Sequence, residues 1–245
     1  MEALIKIKGL SYEYNNGIRA LEKIDLEVND GDLLLIIGAN GSGKSTLLKI
    51  IAGVIHPKNG ELYFKDVKIT EKKLKDSQFS KSFYKSIGFV FQNSDTQLFC
   101  PSVYEEIAFG PVQMGIDENE VEKRVMDCLT LLGIEHLKDR APYNLSEGEK
   151  KKVAIACVLS SNPDVLILDE PLNGLDVKTK KFLKEFIIKI NQAGKTVICA
   201  THELAYIKDI FKKAVILSEN NEIAFIGDYE KLVTDDGLLT KFGLN

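Results

Sequence analysis

Residues 38–46 read GANGSGKST and follow the apolar run LLLII (33–37) without a break. Gly38, Gly43, Lys44 and Ser45 satisfy G-x-x-x-x-G-K-[ST], and they stand where that pattern needs to stand, after a strand and ahead of a helix. Without Cβ atoms at Gly38, Gly41 and Gly43 the backbone can curl tightly and turn successive N–H groups inward, with Asn40 and Ser42 completing the turn. The helix that starts near Lys44 adds its own unpaired N–H groups at a positive dipole end. Such a concavity suits a nucleoside triphosphate. Lys44 can reach the β- and γ-phosphates, Ser45 offers a hydroxyl to magnesium, and Thr46 lies by the α-phosphate. The plain alternative, a glycine-rich turn with a surface lysine, does not explain the placement. A dinucleotide fingerprint fits worse, because G-x-G-x-x-G is not matched.

Around this turn the chain alternates between two periods. Strand-like runs stand at 3–8, 33–37, 87–91, 164–169, 196–201, 214–218 and 222–226. Helical spacing appears in 118–132 and 178–191, where Phe182, Leu183, Phe186, Ile187 and Ile190 share a face. Strand–helix–strand order from 164 to 201 predicts a mostly parallel sheet under helices, whereas the first 30 residues predict a small antiparallel sheet. Some seventy residues without a convincing strand separate FVFQ from DVLILD, so residues 96–150 read as an inserted helical lobe. LKDSQFSKSF (74–83) reads as an exposed polar connection, and 203–210 as a helix.

Composition narrows the class. The chain has 245 residues, 44% hydrophobic and 28% charged, with a formal net charge of −4. That is ordinary for one large globular domain, and no nucleic-acid partner is expected from so acidic a balance. Apolar stretches fall far below the roughly 20 residues of a membrane span, and MEALIKIKG carries no readable secretory signal. Cys100, Cys128, Cys157 and Cys199 lack metal-ligand spacing and read as buried hydrophobes in a reducing setting.

A second station lies at VLILDEP (165–171), an apolar strand ending in Asp169 and Glu170 at the sheet edge where open α/β sheets bind ligands. Asp169 is placed to hold hydrated Mg²⁺ opposite Ser45, and Glu170 to orient the attacking water and accept its proton. His202, after the strand TVICAT, could donate toward the γ-phosphate or the water, and Gln92, closing FVFQ, could touch the metal or the water. Taken singly, each is equally a polar strand end. NLSEGEKKKVAIACVL (144–159) adds Ser146 and Glu149 at capping-box spacing before a helical pattern. Its first turn, with Ser146 and Gly148, reads either as a second place ready for an anion or as an ordinary capped helix start followed by solvated lysines.

GANGSGKST, the glutamine of FVFQ, LSEGE, VLILDEP, LNGLD (172–176) and TH (201–202) occur together and in one order. On this set the chain resembles, from Leu4 to about Tyr229, the nucleotide-binding subunits of ATP-binding cassette transporters. VFQNSDTQLFCPSVYEEIAFGP (90–111) resembles the energy-coupling-factor branch, with its cobalt, nickel and vitamin importers. The resemblance implies an α/β P-loop NTPase of ABC type over residues 1–245: a mostly parallel core sheet, an N-terminal antiparallel β subdomain and the inserted helical subdomain. It implies Mg-dependent ATP hydrolysis by head-to-tail pairs, either two copies or this chain with a related one. Ser146 and Gly148 of one subunit would then contact the γ-phosphate held by the other. It also implies that Tyr14 stacks on adenine and that Asp176 helps align the water. The implied partners are a polytopic membrane subunit and a substrate-binding membrane subunit, with the chain peripheral on the cytoplasmic face of the cell membrane. The cargo expected is cobalt or nickel, with a vitamin, or a soluble non-transport ATPase, as alternatives; a structural nucleotide-binding module is a further one. The signature departs from LSGGQ at Glu147 and Glu149: Glu149 completes the cap, whereas Glu147 puts negative charge near a site for anions and is expected to slow closure of the pair.

Overall fold

The computed structural model describes residues 3–202, 206, 209–234 and 237. Strands β1 (Ala3–Glu13) and β2 (Arg19–Asn29) precede β3 (Leu33–Gly38), and helix α1 (Lys44–Ile51) follows the glycine-rich turn. Strands β4 (Asn59–Phe64) and β5 (Val67–Ile69) lead through α2 (Glu71–Leu74) and α3 (Ser77–Ser86) to β6 (Ile87–Val90). Then come three helices, α4 (Val103–Gln113), α5 (Glu118–Leu132) and α6 (Glu147–Leu159). The chain returns to β7 (Val165–Asp169), α7 (Val177–Gln192), β8 (Thr196–Ala200), β9 (Lys213–Leu217), β10 (Ile223–Asp228) and α8 (Tyr229–Thr234).

Two sheets result. One is antiparallel, in the order β2-β1-β4-β5; the other runs β10-β9-β3-β8-β7-β6 and is parallel except for β10. The antiparallel sheet is therefore larger than the first 30 residues suggested. NGELYF and VKI were missed as strands because neither is long or strongly alternating.

β3 shows why the core sheet sits where it does. Both its faces are buried, and side-chain alternation sends Leu33, Leu35 and Ile37 into one hydrophobic cluster, Leu34 and Ile36 into the other. β7 divides in the same way, with Leu166 and Leu168 in the first cluster and Val165 and Ile167 in the second. The first cluster also takes in α4, α5, α6 and α7; the second holds α1 through Leu47, Leu48, Ile50 and Ile51. Each such leucine removed from water stabilises the fold by about 1.5–3 kcal/mol, which fixes α1 and the turn before it.

The stretch expected as an exposed polar connection at 74–83 is instead largely helical. Asp76 caps α3 by accepting the Phe79 N–H at 2.8 Å, and Phe83 is buried edge-on against Phe64. Only one face of α3 packs, so its composition reads as solvent-exposed. The helix expected at 203–210 lies largely outside the described residues.

Candidate nucleotide site

Between the end of β3 and the start of α1 the backbone folds around Lys44. Gly43 has φ of 98°, and a Cβ there would stand 2.2 Å from the Ala20 carbonyl oxygen, so only glycine fits. A Cβ at Gly38 would likewise meet Ser42 Oγ at 2.5 Å. The Lys44 ammonium donates to the Gly38 and Ala39 carbonyls at 2.8 and 3.1 Å, which curls the chain back over it. Burial holds its pKa below the ordinary lysine value, against the raising pull of Glu170 and Asp169. Ser42 Oγ is buried and has no hydrogen-bond partner among the described residues.

The next strands bring the acids. Ser45 donates to Asp169 Oδ1 at 3.0 Å, joining the first turn of α1 to the end of β7. Burial raises the Asp169 carboxyl above its usual range. Glu170, one residue on, has φ of 44°, unusual for a residue with a side chain. Its N–H donates to the Ala200 carbonyl, and its Oε1 lies 3.9 Å from the Lys44 ammonium. Glu170 Oε2 accepts the His202 backbone N–H at 3.3 Å and stands 3.0 Å from His202 Nδ1. Glu170 is buried, whereas His202 is half exposed. The pairing of β7 with β8, Asp169 opposite Ala200, delivers these two side chains to one place.

A cleft of about 530 Å³ opens over the turn. Of the residues expected from sequence, Tyr14, Asn40, Gly41, Gly43, Lys44, Ser45, Thr46, Gln92, Glu170 and His202 line it. Gly38, Ser42 and Asp169 lie just behind, through the Gly38 carbonyl on Lys44, the packing of Ser42 against Gly38, and the Ser45–Asp169 bond. Ile18, Arg19, Ala20 and Asn173 also line the cleft and were missed. Ile18 and Arg19 had a faint signal: the turn at 15–17 returns the chain opposite Tyr14, whose N–H donates to the Ile18 carbonyl. The Tyr14 hydroxyl bonds Thr46 Oγ1 at 2.9 Å, and Ile18 is exposed, so the mouth presents apolar surface suited to a planar base.

These residues fit a magnesium-bound triphosphate. The site offers a partly desolvated ammonium, an unpartnered hydroxyl at Ser42, and hard oxygen donors converging from Ser45 and Asp169.

Ser146 and Gly148 are not on this cleft. They open α6, where Ser146 and Glu149 form a full capping box: the Glu149 carboxylate accepts from the Ser146 N–H and hydroxyl at 2.8 and 2.7 Å. Gly148 packs at the start of α7, where a Cβ would meet Thr179 Oγ1 at 3.0 Å. Asp176 caps α7 through the Thr179 N–H and hydroxyl. Glu147 is drawn back along α6 to Lys150, 3.3 Å away.

The ABC transporter family profile matches residues 21–173. A nickel import ATP-binding protein of Lactiplantibacillus plantarum is 42% identical over 220 residues, 90% of this chain and 91% of that protein. Among solved structures, cbiO1 of Clostridium perfringens, part of the ABC transporter complex cbiONQ, is 34% identical. It superposes with a TM-score of 0.84 over 100% of this chain and 96% of its own. A dimeric ATP-binding cassette, MJ0796 with ADP and Pi bound after hydrolysis, gives a TM-score of 0.82 at 29% identity, over 92% of this chain and 98% of its own.

Proposed function

The chain belongs to the ABC transporter family, and on that premise we propose that its ATPase cycle drives import of a transition-metal ion, nickel or cobalt, through a membrane partner. It is a P-loop ATPase that uses ATP and Mg²⁺ and energises movement of a small solute as a dimer working with a membrane subunit. The observation that carries the reading is the meeting of the glycine-rich turn with the ends of β7 and β8: Lys44, Ser45, Asp169, Glu170 and His202 within one cleft and its floor. The choice of metal is supported by the nickel import relative, and the membrane subunit by the complex that includes cbiO1.

In this reading the backbone of 38–46 and Ser42 cradle the phosphates, and Lys44 sits at the β- and γ-phosphates. Ser45, Asp169 and the Gln92 side chain hold magnesium. Bound Mg²⁺ offsets charge on the phosphate oxygens. Glu170 accepts the proton of the attacking water, and His202, already against Glu170, keeps that carboxylate oriented while facing the γ-phosphate end. Tyr14 stacks on adenine. Ser146 and Gly148, absent from the chain's own cleft, complete the site of a neighbouring subunit; the dimeric cassette with ADP and Pi supports that arrangement. Residues 96–150 serve as the helical lobe gripped by the membrane partner. A substrate-binding membrane subunit completes the assembly, and this chain sits peripherally on the cytoplasmic face of the cell membrane. Among the described residues no helix is long and apolar enough to cross a membrane.

The test is purification of the native assembly from membranes, identification of its other subunits, and uptake assays with nickel, cobalt and candidate vitamins. ATP-dependent nickel or cobalt uptake that stops on Glu170→Gln supports the proposal. Vitamin uptake, or copurification with ribosomes or DNA in place of a polytopic subunit, overturns it.

A further inference from the structure

The lysine run 150–152 reads in sequence as a solvated helix face. The structure buries its middle member. Lys151, five residues after Ser146 on α6, is 3% exposed, and its ammonium donates to the main-chain carbonyls of Phe91 and Gln92 at 3.0 and 2.8 Å. Among the described residues no carboxylate lies within ion-pair distance of it. Its neighbour Lys150 reaches the same loop: its ammonium is 2.7 Å from Asp95 Oδ1 and 3.3 Å from Glu147 Oε1. Two consecutive lysines near the start of α6 therefore hold both sides of the loop that carries Gln92.

That loop is itself a folded unit. Gln97 bonds back to the Phe91 N–H and the Phe89 carbonyl. The buried carboxylate of Glu106 on α4 accepts the N–H groups of Phe99 and Cys100 at 2.8 and 2.6 Å. The capping box stiffens the first turn of α6, directly ahead of Lys150 and Lys151. A shift of Gln92, which lines the chain's own cleft, thus has a hydrogen-bonded route to Ser146 and Gly148, which do not line it.

We propose that Lys151 is a positioning residue that ties the Gln92 loop to α6, so that the state of the chain's own cleft sets where Ser146 and Gly148 stand toward a neighbouring subunit's nucleotide. This rests on the ATPase reading above. A methionine of similar length would fill the space without desolvating a charge, so packing alone does not account for a buried ammonium here. What the ammonium adds is direction: several donors on one atom, aimed at two carbonyls of one turn. Lys150 adds an ion pair to Asp95 on the same loop. Glu147, standing where glycine is usual, shares that ammonium with Asp95, and its charge is drawn back from the helix start.

The test compares the full-length chain in its assembly with Lys151→Met and Lys151→Arg, measuring kcat, KM for Mg-ATP, affinity for a fluorescent ATP analogue, and melting temperature. Lys151→Met is expected to lower kcat about tenfold or more. KM and analogue affinity should stay within about twofold, with melting at or above wild type. Lys151→Arg, whose guanidinium can still donate to two carbonyls, recovers most of the lost kcat. Unchanged kcat in folded Lys151→Met, or no recovery in folded Lys151→Arg, overturns the proposal, as does a change confined to KM. If Lys151→Met does not fold, the neighbouring ion pair decides: Lys150→Gln and Asp95→Asn should each lower kcat, and the double change should cost no more than either alone. Fully additive losses, or none, overturn it. Wild-type chain that does not hydrolyse Mg-ATP in its assembly refutes the ATPase reading itself, a different failure.

Discussion

Glu170 occupies a left-handed backbone conformation at the end of β7, and its carboxylate is shared between Lys44 and His202. With Glu170 in its proposed role as acceptor of the water's proton, Glu170→Gln should keep ATP affinity and lose turnover by about 10²-fold or more, read by nucleotide titration beside a phosphate-release assay. At the start of α6 the prediction concerns stability. Hydrogen bonds from the Ser146 hydroxyl and N–H hold the Glu149 carboxyl below its ordinary range. That contribution is present above the unfolded carboxyl pKa, about 4.3, and is lost as pH falls through the lower folded value. Ser146→Ala should therefore cost about 1 kcal/mol near neutrality and less as Glu149 protonates, measured by urea denaturation across that pH window. Residues bound to a local pattern were legible from sequence: Gly38, Gly43, Lys44, Ser45 and the Ser146–Glu149 box each depend on neighbours a few positions away. The contact of Glu170 with His202 was not, because it arises from the register of β7 on β8.

Among the elements, β6 packs tightly beneath the end of α6. Gly88 sits under Val158 and Pro163, where a Cβ would stand 2.1 Å from Val158 Cγ1 and 3.0 Å from Pro163 Cγ. Gly88→Ala should destabilise the chain by about 2–3 kcal/mol through overpacking, seen as a lower urea midpoint with an unchanged slope. It should also disturb turnover, since β6 leads directly into the Gln92 loop. Strands β3, β7 and β8 could be read from sequence because continuous apolar runs are what a sheet buried on both faces requires. β4, β5 and α3 could not: the first two carry a weak pattern, and the third buries one aromatic face beneath a polar surface. The KKK run is silent for a related reason, because nothing in its spacing tells that Lys151 turns inward.

At the scale of the whole molecule, two sheets enclose α1, and three helices after β6 extend the other cluster, so β3, packed on both faces, carries the turn out to the cleft. That enclosure reaches the cysteines. Burial pushes the Cys128 thiol up to about 11, and it raises Cys157 and Cys199 well above the ordinary thiol value. At pH 8 alkylation of the native chain followed by mass spectrometry should find Cys100 labelled first and the other three protected; all four should label together on unfolding. Rapid native labelling of Cys128 or Cys199 would contradict the packing. The fold also leaves Ser146 and Gly148 off the cleft, and in the proposed reading they complete the site of a neighbouring subunit. The central claim is that a triphosphate settles into the 38–46 turn, with magnesium between Ser45 and Asp169. The most direct measurement is a crystal structure of the chain grown with Mg²⁺ and a non-hydrolysable ATP analogue. The γ-phosphate is expected at the Lys44 ammonium and the metal on the oxygens of Ser45 and Asp169; a nucleotide bound elsewhere, or a metal that touches neither residue, would refute that placement.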